Sequence, residues 1–169
     1  MERTLIVFKP DAVQRGIVGE IITRFEKVGL KILGVKMIQP SEDFLHHHYE
    51  EIGTMITRHG KEIFDNTVTM MKEGPVIALV LEGIDAVTLV RKMVGTTEPK
   101  NSAPGTIRGD YAHMSYTHAD GNGIALVNII HASGSIEDAI QEIPHWFSDD
   151  QLFDYETVHQ KFTLKKKSK

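Results

Sequence analysis

The sequence contains no cysteine, few aromatic residues and no long apolar run. The missing thiols exclude disulfides, thiolate catalysis, zinc fingers and iron–sulfur clusters. No segment approaches the ~20 apolar residues that a membrane-spanning helix needs, and the apolar run of residues 5–8 is too short for a signal peptide. We therefore expect a cytoplasmic protein without a membrane partner.

An excess of basic residues is also missing, since 19 Lys and Arg stand against 23 Asp and Glu, for a net charge of −4. An acidic chain has no general attraction for nucleic acid, so no specific nucleic-acid partner is expected. An RNA-binding sheet would need exposed aromatic residues, whereas aromatics make up 7% of this chain and its predicted strands are aliphatic. Any polyanion must therefore bind to a local cluster of basic side chains.

What is present suits one globular domain. The chain has 169 residues, of which 41% are hydrophobic and 25% charged. A domain of this length buries enough surface to need no covalent staples. No internal repeat, linker or change in composition divides the chain. We predict a single domain over residues 1–160 and a basic, disordered C-terminal tail over residues 161–169.

Hydrophobic periodicity predicts four strands separated by helices. The strands are expected at residues 4–8, 30–38, 75–81 and 124–130, and the helices at residues 13–28, 61–72, 86–94 and 135–143, with a further one after Ser41. Residues 95–111 form a long loop, and such loops are usually functional. The order reduces to βαββαβ, which predicts an α+β, ferredoxin-like sandwich with a four-stranded antiparallel sheet. Right-handed crossovers would place the helices on one face of that sheet.

Familiar patterns for phosphate and metal binding fail in detail. The segment from Gly53 to Lys61 resembles a Walker A loop, but six residues separate its glycines, and that motif has four. Gly121 and Gly123 lack the third glycine of a dinucleotide fingerprint. Three consecutive histidines occupy residues 46–48. Neighbouring side chains on a helix point in different directions, so these three cannot converge on one metal ion.

His131 is the strongest candidate for chemistry. It directly follows an apolar strand and precedes Ser135, which caps the next predicted helix. The free N–H groups and positive dipole end of that helix favour an anion at this place. Glu137, in the first turn, is placed to hydrogen-bond one ring nitrogen and leave the other nucleophilic. A structural histidine at a strand end is the alternative interpretation of the spacing.

Basic residues from three parts of the chain could join His131. Lys9 ends the first strand, Arg91 lies in a predicted helix and Arg108 lies in the long loop. We expect the carboxyl ends of strands one and four to lie close together, which would gather these side chains into a polyphosphate site. Taken singly, each is also compatible with an ordinary surface charge.

Four segments, in order along the chain, carry a resemblance to a known family. They run from Lys9 to Glu20, from Gly74 to Val76, from Pro104 to Asp110 and from Asn128 to Ser133. Over essentially its whole length the chain resembles the nucleoside diphosphate kinases, and its last segment resembles their phosphohistidine motif. The resemblance implies transfer of the γ-phosphoryl group from a nucleoside triphosphate to a nucleoside diphosphate, by a ping-pong mechanism through phospho-His131.

The resemblance also implies roles for individual residues. His131 resembles the family's nucleophile, Glu137 the carboxylate that orients it, and Ser133 the serine beside it. The residues that match the family's phosphate and ribose contacts are Lys9, Tyr49, Arg91, Thr97, Arg108 and Asn128. The resemblance also assigns Lys9 a role in catalysis. Mg²⁺ would be held mainly by nucleotide oxygens and water, so no dedicated metal ligand is expected. The family's tetramers and hexamers imply a homo-oligomer.

The chain departs from the family pattern in several places. Gly134 stands where the family usually has aspartate, so one polar contact beside the histidine is expected to be missing. Residues 50–73 and 111–124 are longer than in the common form. Phe64 is the nearest candidate for the aromatic residue that covers the base, with a position in the core as the alternative.

The alternative function is that of a catalytically impaired relative that serves as a structural or interaction protein. The intact Lys9, Arg108 and His131 argue against it.

Overall fold

A computed structural model describes residues 1–164 and shows four antiparallel strands in the order β2-β3-β1-β4. The strands are β1 (Glu2–Phe8), β2 (Lys31–Ile38), β3 (Val76–Gly83) and β4 (Ile130–Ala132). Strand β1 pairs with β3 on one side and with β4 on the other. This order and pairing confirm the predicted ferredoxin-like sheet.

Helices occupy most of the chain between the strands. The α-helices are α1 (Pro10–Gln14), α2 (Val18–Lys27), α3 (Glu42–His46), α4 (Met55–His59), α5 (Lys61–Met71), α6 (Ala86–Val94), α7 (Ile107–Tyr111), α8 (Tyr116–Gly121), α9 (Ile136–Trp146) and α10 (Gln160–Thr163). A π-helical turn (His47–Ile52) continues α3, and short 3₁₀ turns cover Pro99–Asn101 and Asp149–Gln151.

Strand β1 is buried on both faces, which is why its sequence is apolar without alternation. Leu5 and Val7 belong to a core with residues of α5 and α9, whereas Ile6 and Phe8 belong to a core with residues of α2 and α6. The expectation of helices on one sheet face alone was therefore wrong. The additional helices between β2 and β3 cover the second face together with α9.

Several element boundaries differ from the sequence-based expectation, and residues 95–111, expected as a loop, contain a 3₁₀ turn and α7. Gly16, with φ +67°, breaks the single helix expected over residues 13–28 into α1 and α2. Ile129 has φ +73°, so β4 begins one residue later and is much shorter than residues 124–130. Helix α9 passes through Pro144 and continues to Trp146.

The C-terminal segment lies along the outer side of β2. The Phe153 N–H donates to the Leu33 carbonyl at 2.8 Å, and the Tyr155 hydroxyl donates to the Ile32 carbonyl at 2.9 Å. Helix α10 extends past residue 161, where the tail was expected to begin; residues 165–169 lie outside the described part. Within residues 1–164, no helix is both long and apolar enough to span a bilayer.

Candidate active site

A cavity of about 650 Å³ opens where β1 ends and β4 begins. The antiparallel pairing determines the position of the cavity, because it brings the end of β1 beside the start of β4. The sequence-based expectation had placed the carboxyl ends of these two strands together. Predicted site residues that line the cavity are Lys9, Tyr49, Arg91, Thr97, Arg108, Asn128 and His131. The sequence-based prediction that these distant residues share one site thus agrees with the fold.

Lys9 enters the cavity because Pro10 stops β1 directly after it and starts α1. Its ammonium group donates to the Asn128 side-chain oxygen at 2.7 Å, and the Asn128 amide donates to the Thr97 carbonyl at 2.9 Å. Burial, followed by repulsion from Arg108, lowers the pKa of Lys9 to about 8. The lysine is therefore a buried cation that a nearby anion would stabilise strongly.

Arg108 is held by main-chain carbonyls. Its guanidinium donates to the carbonyls of Asn128 (3.2 Å), Gly95 (3.3 Å), Thr96 (3.0 Å) and Ile130 (2.6 Å). The side chain is 8% exposed, and burial, with repulsion from Arg91, lowers its pKa to about 10. Four neutral acceptors fix the guanidinium in place without cancelling its charge.

None of the four Lys and Arg side chains at the cavity, those of Lys9, Arg58, Arg91 and Arg108, has a carboxylate partner within ion-pair distance among residues 1–164. Lys9 and Arg108 are buried, and Arg91 is exposed at the cavity wall. This arrangement is unusual in a chain of net charge −4. Unpaired cations around a cavity indicate a ligand with several negative charges.

His131 lies on β4, opposite Val7 of β1, with its side chain 23% exposed. Its Nε2 is 2.8 Å from Glu142 Oε1, and the Ser133 hydroxyl donates to Glu142 Oε2 at 2.6 Å. Burial alone would raise the pKa of Glu142, but His131 and Ser133 outweigh it and hold that pKa at about 2. An ionised carboxylate only accepts, so in the neutral ring Nε2 carries the proton and Nδ1 keeps its lone pair.

Glu142, and not Glu137, orients the histidine, so the predicted role of Glu137 was wrong. Glu137 is exposed in the first turn of α9, where Ser135 accepts the Asp138 N–H at 3.0 Å. Glu142 lies on the buried face of the same helix with Ala139 and Trp146. A carboxylate at an apolar helix position was the signal in the sequence, because such a charge needs a partner.

The three consecutive histidines divide between the surface and the site. His46 and His47 point their Nδ1 atoms at Glu51, at 3.5 and 3.0 Å, on the outside of the protein. His48 is buried and contacts the His131 ring edge-to-face, with 4.8 Å between ring centroids. The expectation that the three do not converge on one ion agrees with this arrangement.

His48, His131 and Glu142 nevertheless form a group with ligand atoms within 4.8 Å of one another. The Trp146 indole donates to His48 Nδ1 at 3.2 Å, which places the proton of a neutral His48 on Nε2. His131 carries its own Nε2 proton toward Glu142. A metal ion would need these nitrogens deprotonated, so the hydrogen bonds oppose ligation here.

Two departures from the family pattern have structural outcomes. A side chain at Gly134 would place its Cβ 2.6 Å from an Asp138 carboxylate oxygen, so Asp138 occupies the space beside the missing aspartate. Phe64 is 7% exposed, packs in the core on α5 and does not line the cavity. The interpretation of Phe64 as the base cover was therefore wrong, and its alternative as a core residue holds.

Both longer segments reach the cavity wall. Residues 50–73 contribute Arg58 and His59, and residues 111–124 contribute Tyr116. Lys61 and Asn66 do not line the cavity, and Lys61 pairs with Asp65 at 2.7 Å. Sequence reasoning missed Tyr116, since no periodicity marks a tyrosine at a helix start as a site residue.

A histidine with one nitrogen free, in an open cavity lined by cations without carboxylate partners, is typical of a phosphotransferase that carries the phosphoryl group on histidine. Comparison with known proteins agrees. The family model for nucleoside diphosphate kinase matches residues 2–152. The chain therefore belongs to the nucleoside diphosphate kinase family.

Individual relatives match nearly end to end. A nucleoside diphosphate kinase of Borreliella burgdorferi is 38% identical over 155 residues, which cover 92% of each protein. One of Pyrococcus horikoshii is 47% identical over 154 residues, which cover 91% of this chain and 90% of the relative.

Solved structures agree in fold. A transition state mimic of the Borrelia burgdorferi enzyme with bound vanadate and ADP has a TM-score of 0.90 at 37% identity and 94% coverage of both chains. The Halobacterium salinarum enzyme in complex with CDP has a TM-score of 0.80 at 38% identity, over 97% of this chain and 99% of that chain. The predicted enzyme class is confirmed, and the catalytically impaired alternative gains no support.

Proposed function

We propose that this nucleoside diphosphate kinase carries the phosphoryl group on Nδ1 of His131. The observation that carries the proposal is the Nε2 contact with Glu142 at 2.8 Å, which leaves Nδ1 as the unprotonated nitrogen beside the cavity. A covalent intermediate lets two nucleotides use one site in turn. The relative solved with ADP and vanadate, whose name describes a transition state mimic, supports the same chemistry here.

In the first half-reaction, the lone pair of His131 Nδ1 attacks the γ-phosphorus and forms an N–P bond. The bond from that phosphorus to the bridging oxygen breaks, and its electron pair leaves on the β-phosphate of the nucleoside diphosphate. The imidazole gains positive character as the bond forms, and the Glu142 carboxylate stabilises the Nε2–H side. The second half-reaction reverses these steps with another nucleoside diphosphate.

The cations supply the charge stabilisation. Lys9 and Arg108 are held in fixed positions by hydrogen bonds and have no carboxylate to compete with the nucleotide. Preorganised donors in a site of low dielectric constant stabilise the charge that spreads over the transferring oxygens. Arg91 would bind the phosphates from the cavity wall, and Thr97 and Asn128 would position ribose and phosphate.

Tyr49 is a further donor in this scheme. Its hydroxyl is buried at the cavity with no hydrogen-bond partner among the described residues. Burial raises the pKa of Tyr49, so the phenol stays protonated. It would donate to an oxygen of the phosphoryl group, which removes the cost of an unsatisfied buried hydroxyl.

Mg²⁺ fits the site as a companion of the nucleotide. Asp138 is the carboxylate at the cavity whose side chain has no hydrogen-bond partner among residues 1–164, whereas both Glu142 oxygens are engaged. Mg²⁺ prefers oxygen ligands and keeps several waters. Asp138 would hold it through water, and the ion would neutralise phosphate charge when bound.

The proposed partners are nucleoside tri- and diphosphates and further copies of the chain, in a tetramer or hexamer. Strand β2 is an edge of the sheet and exposes Val35 (59%) and Met37 (56%), which an interface between copies would cover. We place the protein in the cytoplasm, because its nucleotide substrates are made and used there.

The test follows the phosphoryl group through both half-reactions. Protein incubated with γ-labelled ATP and freed of nucleotide should carry label that a second addition of GDP converts to labelled GTP. His131→Asn should lose transfer by at least about a thousandfold while keeping its unfolding temperature, since the side chain lies at a site. Transfer within tenfold of wild type in this variant would show that another residue is the nucleophile.

A further inference from the structure

His48 is a buried histidine that the proposed chemistry leaves without a role. It is 2% exposed, lies in the π-helical turn (His47–Ile52) and lines the same cavity as His131. Burial, and then repulsion from His131, lowers its pKa well below the usual value, so the ring is neutral at physiological pH. A π-helical turn that presents buried polar side chains to a cavity often marks a functional position.

One face of α9 sets the proton position on both imidazoles. Glu142 accepts from His131 Nε2 at 2.8 Å, and Trp146, one turn later, donates to His48 Nδ1 at 3.2 Å. The indole N–H can only donate, so His48 Nδ1 must be unprotonated. The proton of the neutral ring is therefore on Nε2.

That Nε2–H has no acceptor among the described residues. A buried donor without a partner destabilises the folded protein, and native structures seldom keep one without a function. The indole contact also prevents the ring from adopting the other tautomer, which would remove the donor from this position. The fold thus maintains a neutral donor beside the cavity and leaves it unused.

The donor lies next to the reacting ring. The two ring centroids are 4.8 Å apart at an interplanar angle of 82°. One imidazole nitrogen of His48 lies within 4.8 Å of a ring nitrogen of His131 and of a Glu142 carboxylate oxygen. A phosphoryl group on Nδ1 adds three acceptor oxygens to the ring that His48 contacts.

We propose that His48 is a catalytic hydrogen-bond donor, whose Nε2–H binds a phosphoryl oxygen during transfer to and from His131. The inference rests on the proposed function and adds a residue to it. No proton is transferred: His48 stays neutral and only the acceptor changes, from none to a phosphoryl oxygen. A donor whose partner exists only when the phosphoryl group arrives lowers the barrier more than it strengthens nucleotide binding.

Two amide substitutions separate this role from a packing role. His48→Gln carries its amide near the level of Nε2 and can supply the donor, but it lacks the ring nitrogen that accepts from Trp146. His48→Asn carries its amide oxygen near the level of Nδ1 and can accept from Trp146, but it has no donor near Nε2. The Gln variant therefore keeps the donor of His48, and the Asn variant keeps its acceptor.

The rate of His131 phosphorylation by ATP is measured for both variants in single-turnover experiments. We expect His48→Asn to lose about hundredfold in rate and His48→Gln about tenfold, with the KM for ATP within about threefold of wild type in both. Equal rates, or a faster Asn variant, would overturn the proposal and assign His48 to anchoring Trp146. Absence of phosphorylation in the wild type would instead contradict the proposed function.

A measurement on the unaltered protein avoids any folding defect of the variants. Nitrogen-15 NMR of the histidine side chains should show His48 protonated on Nε2 and unprotonated on Nδ1 before ATP is added. After phosphorylation, the His48 Nε2–H signal should shift as it gains an acceptor, while the His47 signals stay unchanged. An Nδ1-protonated His48, or an Nε2–H signal that does not respond, would contradict the proposal.

Discussion

The phosphate end of the cavity differs from the two longer segments of its wall in burial and in how far along the sequence its hydrogen-bond partners lie. At the phosphate end, Lys9 and Arg108 are 7% and 8% exposed and hydrogen-bond across the strand ends to partners far away in sequence. The segments of residues 50–73 and 111–124 hold mostly local bonds, such as that from Arg58 to Gly53 at 3.4 Å, and expose Tyr116. We therefore expect substitutions at the phosphate end, where function needs fixed geometry, to impair activity. Substitutions in the two longer segments should be tolerated.

The difference also concerns backbone freedom. Helix α4 buries no residue and stands between Thr54, with φ +49°, and Gly60, with φ +92°. Strand β1, which places Lys9, pairs with β3 over its whole length and with β4 over its last three residues. Local opening costs little free energy where few contacts are buried, so we expect α4 to be the part of the cavity wall that adapts to different bases.

The largest expected effect in this comparison is at Arg108. Arg108→Lys removes the fork that reaches four carbonyls, so kcat/KM should fall about hundredfold. Orphaned carbonyls should also lower the free energy of unfolding by about 2 kcal/mol. Arg24→Lys is the matched control, because Arg24 pairs with Asp110 outside the cavity. Equal losses in the two variants would show that Arg108 acts only through stability.

The next largest effect distinguishes two glutamates on one helix. Glu142→Gln should lower kcat by about thirtyfold with nucleotide affinity unchanged, because the carboxylate supports the developing charge on His131. Glu137→Gln should leave kcat within about twofold, since Glu137 is exposed and does not line the cavity. A slow Glu137 variant beside a normal Glu142 variant would reverse the assignment.

The pH dependence should report on Lys9. Its pKa is lowered to about 8, so the ammonium form is lost as the pH rises through that value in the nucleotide-free protein. We expect kcat/KM to fall above about pH 8, approaching tenfold per pH unit. Lys9→Arg should move this limb to higher pH, because arginine stays charged. A profile that is flat to pH 9.5 in the wild type would contradict the role of Lys9.

The smallest effect is expected at the adaptable segments. We expect Arg58, in the cavity wall, to stack on the base, so Arg58→Ala should raise the KM of all four common nucleoside triphosphates by about threefold, because every base offers a π face. Lys61→Ala, outside the cavity and paired with Asp65, is the control without effect.

A comparison of nucleotide substrates tests the same two segments, because they are expected to contact the base. Differences in kcat/KM among ATP, GTP, CTP and UTP donors should stay within about 1–2 kcal/mol, because no fixed polar cluster is assigned to a base edge. A spread beyond about a thousandfold would show that a residue such as Arg58 reads the base directly.

The phosphate end was largely predictable from the sequence. Hydrophobic periodicity located the first three strands, the βαββαβ order predicted the sheet, and Lys9, Arg108 and His131 stand in specific motifs. Glu142 was not found, because it lies eleven residues after His131 and reaches it only through the packing of α9 on the sheet.

The adaptable segments were not predictable in the same way. Phe64 has the right chemistry for a base cover, but its orientation depends on how α5 packs in the core. One feature of the phosphate end was also unpredictable: the start of β4 depends on the positive φ of Ile129, which its side chain gives no reason to expect. Tertiary packing, and not local pattern, decided each of these outcomes.

The identity of the phosphorylated nitrogen tests the central claim most directly. The protein is phosphorylated with ATP at neutral pH, and nitrogen-15 and phosphorus-31 NMR then locate the N–P bond on the imidazole. Because Glu142 holds the Nε2–H of His131, we expect phosphorus on Nδ1 alone. Phosphorus on Nε2, or on the Ser133 hydroxyl, would contradict the arrangement from which the mechanism is derived.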